Sequence, residues 1–116
     1  MNSFAGSSAV EARERYWHFG TFRLDTHTRE LRNGDAASLA LTGKVFDTLC
    51  FLIRNRDRVV SKTEILTNVW DEFYEGDPNI VEVYIGYLRR KIDAPFGRAS
   101  IQTVRGAGYR LHGDGR

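Results

Sequence analysis

The apolar periodicity of this chain changes at Thr42, and no single type of secondary structure accommodates both halves. Before that point, from Tyr16 to Leu41, apolar residues come in short alternating runs: Trp17 and Phe19, Phe22 and Leu24, then Leu31, then Leu39 and Leu41. A two-residue repeat marks strands with one buried face. Turn residues separate the runs at Gly20-Thr21, at Thr26 to Thr28 and at Asn33-Gly34-Asp35, the last carrying an Asn-Gly pair that tolerates the positive φ angles of a tight hairpin. Beyond Thr42, Val45, Phe46, Leu49, Cys50, Leu52 and Ile53 recur at steps of three and four, which predicts a helix from about Gly43 to Asn55 with Thr42 as its N-cap. An antiparallel meander followed by helices defines an α+β chain.

The rest of the sequence extends the helical half and then closes it with strands. Ser61-Lys62-Thr63-Glu64 is a capping box opening a second helix, whose apolar face holds Ile65, Leu66, Val69 and Trp70. Asp71 to Asp77 contain four acids and no base, with Gly76 before Pro78, the composition of an exposed loop. Pro78 suits the first turn of a third helix running to Ile92, with Val81, Ile85, Leu88 and Ile92 on a buried stripe. Asn79, Val83, Gly86 and Arg90 lie opposite, flanked by Ile80 and Tyr87, and Arg89, Arg90 and Lys91 crowd the last turn. After a loop from Asp93 to Ser100, strands at Ile101 to Val104 and Tyr109 to Leu111 enclose Arg105-Gly106-Ala107-Gly108 as a terminal hairpin.

Length and composition exclude several classes of function. With 116 residues, 41% apolar, the chain suits one folded domain, expected over residues 16–112. Residues 1–15 read as a linker or tail and 113–116 as a C-terminal tail. No apolar run is long enough to cross a bilayer and no secretory signal opens the sequence, so a cytoplasmic protein without membrane contact is expected. Cys50 has no partner for a disulfide, and His18, His27 and His112 share no ligand spacing; no metal, cofactor or enzymatic role is expected. Cys50 reads as a small buried hydrophobe. Gly106-Ala107-Gly108 reads as a hairpin turn, because a phosphate-cradling loop needs a following helix, and Arg54, Arg56 and Arg58 read as bases closing a helix end.

Charge is unevenly placed. The whole chain carries +2, yet from Asn79 onward seven bases (Arg89, Arg90, Lys91, Arg98, Arg105, Arg110 and Arg116) face three acids (Glu82, Asp93 and Asp114). A capped helix followed by a longer basic-ended helix is what a helix-turn-helix reader of nucleic acid requires, although a solvated basic face has the same composition. The N-terminus of the second helix offers free amides to a phosphate, with Ser61 and Lys62 beside them.

The stretches Ser61-Lys62 with Leu66 and Val69-Trp70, Asn79 through Ile92, and Gln102-Thr103-Val104-Arg105-Gly106-Ala107-Gly108-Tyr109 resemble the winged-helix output domain of OmpR/PhoB-type response regulators. The similarity runs from about Tyr16 to Leu111. It implies a four-stranded N-terminal sheet, three helices and a C-terminal wing, and a role as the DNA-binding effector of a two-component regulator of transcription. The resemblance puts Asn79, Val83, Tyr87 and Arg90 in the major groove, Arg105 of the wing in the minor groove, and the loop with Glu72, Glu75 and Asp77 against RNA polymerase. Ser61, Lys62, Arg89, Lys91 and Thr103 are the expected phosphate contacts.

Implied partners are double-stranded DNA bearing tandem direct repeats, RNA polymerase, and a sensor kinase acting only through a receiver domain that residues 1–15 are too few to encode. The free domain is expected to be a monomer, either part of a longer regulator or free-standing. Gly86 and Tyr87 replace basic residues often found on the reading face, so base preference does not transfer. Gly43-Lys44 replaces a common Pro-containing helix start and leans toward one-component activators of the same fold. A winged-helix module used only for protein contacts is the remaining alternative.

Overall fold

A computed structural model of the protein describes residues 15–35, 38–41 and 43–115. Strands β1 (Tyr16–Phe19), β2 (Phe22–Asp25), β3 (Glu30–Asn33) and β4 (Leu39–Ala40) form one antiparallel sheet in sequence order. The alternation decides its faces: Phe19, Phe22, Leu24 and Leu31 are buried, whereas His18, Arg23 and Arg32 are exposed. The Asn-Gly turn is wider than the sequence suggests. Leu31 pairs with Leu39 while Asn33 still pairs with Phe22 of β2, so Gly34, at φ +58°, begins a longer connection instead of a two-residue hairpin.

Helix α1 (Gly43–Arg54) follows and buries Phe46, Leu49, Leu52 and Ile53; its predicted cap, Thr42, lies outside the described residues. Helix α2 (Lys62–Ile65) begins at the capping box read from sequence. The Ser61 hydroxyl accepts from the Glu64 amide at 3.0 Å and the Glu64 carboxylate accepts from the Ser61 amide at 3.2 Å, satisfying two amides that the helix leaves open. It widens into a π-helical turn over Leu66–Trp70.

Helix α3 (Ile80–Leu88) starts two residues later than the proline implies. The reason is local: the Asp77 carboxylate accepts from the Asn79 amide at 2.9 Å, and the Ile80 and Val81 amides bond to Asp77 and Pro78 carbonyls. Pro78 and Asn79 therefore form a tight lead-in turn. The helix also continues as a π-helical turn, Arg89–Asp93, and a 3-10 turn, Ala94–Phe96. Its expected stripe of Val81, Ile85, Leu88 and Ile92 is buried throughout.

Strands β5 (Ile101–Val104) and β6 (Gly108–Leu111) make the terminal hairpin, one residue longer in β6 than the apolar pattern indicates. Tyr109 pairs by two backbone hydrogen bonds, 2.8 and 2.9 Å, with Val60 ahead of α2. The sheet, all three helices and the hairpin share one apolar core.

Candidate nucleic-acid interface

Burial of one stripe of α3 leaves the other outside. Asn79 and Arg90 are exposed, and so are two large apolar side chains one turn apart, Val83 at 44% and Tyr87 at 40%. Core formation gives no reason for apolar residues at i and i+4 on a solvent face. Gly86 lies between them, and a Cβ there would meet only an Arg90 guanidinium nitrogen, at 3.9 Å. The Arg90 guanidinium lies over the Tyr87 ring, 5.1 Å from its centroid. Lys91 is exposed beside it.

Three elements border one cleft of about 420 Å³: the start of α2 with Lys62 and Thr63, α3 through Glu82, and the hairpin from Thr103 to Tyr109. Lys62 and Glu82 form an ion pair across it, and the hydrogen bond that Lys62 donates to the Glu82 carboxylate raises the Lys62 pKa above the ordinary lysine value. Ser61 is committed to capping the Glu64 amide. Arg89, predicted as a phosphate contact, donates to the Ile101 carbonyl at 2.9 Å and to the Thr103 hydroxyl at 2.8 Å. It ties α3 to the wing and holds Thr103, another predicted contact, in the same arrangement.

The wing leaves the end of α3 through a buried acid. Asp93 is 4% exposed, and its carboxylate accepts from the Ser100 amide at 2.9 Å and the Ile101 amide at 3.3 Å. Arg105 stands exposed in the hairpin turn. Gly108, which opens β6 just after that turn, approaches the protein's own Val60–Ser61 backbone; its lack of a side chain serves docking of the hairpin.

Glu72, Glu75 and Asp77 are exposed on the loop between α2 and α3. Asp71 and Asp77 shape that loop by accepting from the amides of Phe73 and Asn79, at 2.8 and 2.9 Å. Sequence reasoning passed over Phe73, the most exposed large apolar residue of the described chain at 79%, although a phenylalanine flanked by acids in a loop was itself a signal. It also passed over Glu82, whose place opposite Lys62 depends on how two helices cross. Cys50 is buried as expected, and burial pushes its thiol pKa up. Arg56 donates to the Ile53 carbonyl at 3.0 Å, the helix-closing role read from sequence. No group of side chains among the described residues has the makings of a metal site, and no described helix is long and apolar enough to cross a membrane.

A four-stranded antiparallel sheet, three helices with the third half-exposed, and a hairpin beside it make this a winged-helix domain. The family described as "Transcriptional regulatory protein, C terminal" matches residues 36–111, and the chain belongs to that family. It is 46% identical to the transcriptional regulatory protein TcrA of Mycobacterium tuberculosis over 83% of this chain and 38% of that protein. It is 43% identical to the response regulator MprA of Mycolicibacterium vanbaalenii over 80% of this chain and 40% of that one. The chain thus spans about two fifths of the length of these relatives. Among solved structures, the Klebsiella pneumoniae RstA DNA-binding domain, crystallised in complex with the RstA box, superposes with a TM-score of 0.71 at 26% identity, covering 84% of this chain and 97% of that one.

Proposed function

We propose that this domain binds double-stranded DNA sequence-specifically as the effector domain of a two-component response regulator and thereby controls transcription. The observation that carries this reading is the pair of exposed apolar residues on α3, Val83 and Tyr87, in line with Asn79 just before that helix and Arg90 in its π-helical continuation. A side-chain methyl fits the thymine methyl group, and an arginine reads guanine, only from within the major groove. Family membership and the RstA complex support it. In this arrangement Arg105 enters the minor groove, and Ser61, Lys62, Arg89, Lys91 and Thr103 meet phosphates. The acidic loop, which would repel phosphate, turns Glu72, Glu75 and Asp77 with Phe73 toward RNA polymerase. The protein acts in the cytoplasm, and domains that are monomeric when free bind direct repeats about one helical turn apart.

Duplexes selected from a random pool, titrated across a salt series, test this reading. If Lys62, Arg89 and Lys91 each neutralise a phosphate, log K falls against log salt with a slope of about −2.7. Arg105→Ala is expected to cost roughly 1–3 kcal/mol of affinity and to relax preference for A·T-rich flanks, since a narrow minor groove attracts arginine through its potential. Absence of binding at low salt would overturn the proposal in favour of a module for protein contacts alone.

A further inference from the structure

Tyr87 and Arg90 belong to a longer chain of rings than the sequence pattern reveals. Tyr84 packs edge-to-face against Tyr87, with centroids 5.3 Å apart and planes at 72°. Trp70 packs in the same manner against Tyr84, at 5.2 Å and 81°. Tyr74 of the acidic loop lies against Trp70 at 6.3 Å, and the Arg90 guanidinium completes the series over Tyr87. The base of this stack is fixed. Trp70 is half-buried against the core at the end of the π-helical turn of α2, where the Lys44 ammonium donates to the neighbouring Val69 carbonyl at 2.7 Å.

We infer that Tyr84 is a positioning residue: by holding Tyr87, and through it Arg90, in one orientation, it sets the base-reading geometry of α3 without itself reading a base. A tyrosine and an arginine on an isolated helix surface sample several rotamers, and ordering them on binding costs conformational freedom. Edge-to-face packing removes that freedom beforehand, because the positive ring edge of one residue is held on the negative face of the next. The cation over Tyr87 is held by the same ring field. The spacing makes the device possible: residues 84, 87 and 90 follow one another at i+3 along one side of α3 and its π-helical continuation. It also runs continuously into the loop through Tyr74, so Trp70 stands between the reading face and the acidic segment.

This inference rests on the reading of α3 as a DNA-binding helix. Two duplexes of equal length and composition serve as probes, one carrying a site selected from a random pool and the other its shuffled sequence. Tyr84→Phe keeps the ring and is expected to keep the wild-type ratio of affinities for the two duplexes. Tyr84→Leu fills much of the space but offers no ring face; the ratio is expected to fall roughly 3- to 10-fold, with affinity for the shuffled duplex and its salt slope unchanged. A Tyr84→Leu protein with the wild-type ratio would overturn the inference, as would an equal loss in Tyr84→Phe. A second measurement leaves the stack intact. In Trp17→Phe protein the remaining indole is Trp70, and its emission at saturation is expected to change more with the selected duplex than with the shuffled one. Equal changes would count against the inference. If wild-type protein fails to discriminate between the duplexes, the base-reading role of α3 fails and this inference with it; if it discriminates and Tyr84→Leu does so equally, only the role of Tyr84 fails.

Discussion

Gly108 shows how much one missing side chain can fix. Its φ is +144°, outside the range L side chains ordinarily adopt, and a Cβ there would lie 2.0 Å from the Val60 carbonyl oxygen and 2.8 Å from Ser61 Cα. The wing reaches the start of α2 because nothing stands between the two backbones. Gly108→Ala combines backbone strain with an overlap against main chain that has no flexible end to yield, so a loss of about 3 kcal/mol is expected in urea unfolding; a loss below about 1 kcal/mol would show that the hairpin shifts freely. Asp25 is the matching electrostatic case. The Arg15 guanidinium donates two hydrogen bonds of 3.0 Å to its carboxylate, and the His27 and Thr28 amides add two more. Arg15 first, then those amides, hold the carboxyl far below the usual carboxylate range against the opposing effect of burial. A depressed pKa contributes stability that is complete above the ordinary aspartate value and is lost as pH falls toward the folded one. Asp25→Asn is therefore expected to be less stable than wild type at pH 7, with the gap closing below about pH 4. A gap that does not narrow at all between pH 4 and pH 2 would contradict this assignment.

At the scale of elements, the sequence was legible where periodicity or capping chemistry acts over a few neighbouring residues. The inward faces of β1 to β3, the buried stripe of α3 and the Ser61–Glu64 box all follow from such local rules, and each is found. Legibility ended where the outcome depends on distant segments. The π-helical turns that finish α2 and α3 have no periodic signature, the start of α3 is decided by Asp77 capping a turn, and the Trp70–Tyr84–Tyr87 stack needs two helices to cross. The outward positions Asn79, Val83, Tyr87 and Arg90 were readable from the wheel, whereas the hold of the wing on Arg89, expected only as a phosphate contact, was not. The pair between Lys62 and Glu82 belongs to the same hidden class, and it places an acid inside a basic cleft. A half-exposed pair adds little to stability, so under the proposed DNA-binding role its consequence is expected in binding, with Glu82 occupying the cation and repelling phosphate. Glu82→Gln is expected to bind shuffled DNA more tightly, with a salt slope steeper by about 1, while sequence preference narrows. Unchanged affinity and slope would show that Lys62 does not face the phosphates.

Across the whole molecule, the sheet at the N-terminus and the wing at the C-terminus are joined through α1, which packs against both β1 and β6, and a second time by the segment after β6. That segment returns to the β1–β2 turn. The Gly20 amide donates to the Gly113 carbonyl at 2.7 Å, the Gly113 amide to the Asp57 carboxylate at 2.8 Å, and the fully buried Ser100 hydroxyl to the Gly115 carbonyl at 3.3 Å. Arg98 reinforces the junction by donating to the Thr21 hydroxyl at 2.8 Å. Gly20 permits the approach, since a Cβ on it would lie 2.8 Å from the Asp114 carbonyl oxygen. Four parts of the chain thus close on one another at a place lined by none of the α3 residues. A chain ending at His112 loses these three bonds and opens the Ser100 hydroxyl to water. At roughly 1 kcal/mol for each net hydrogen bond, a destabilisation of about 2–3 kcal/mol is expected. Because the junction couples the two sheets, the loss should appear as one transition at lower urea concentration, with tryptophan fluorescence and backbone circular dichroism still coincident. DNA affinity measured well below the midpoint should match that of the longer chain, since α3 and Arg105 keep their supports in α1, Asp93 and Val60. An unchanged midpoint would mean that the returning segment rests on the fold without holding it, and α1 alone would then carry the connection between sheet and wing.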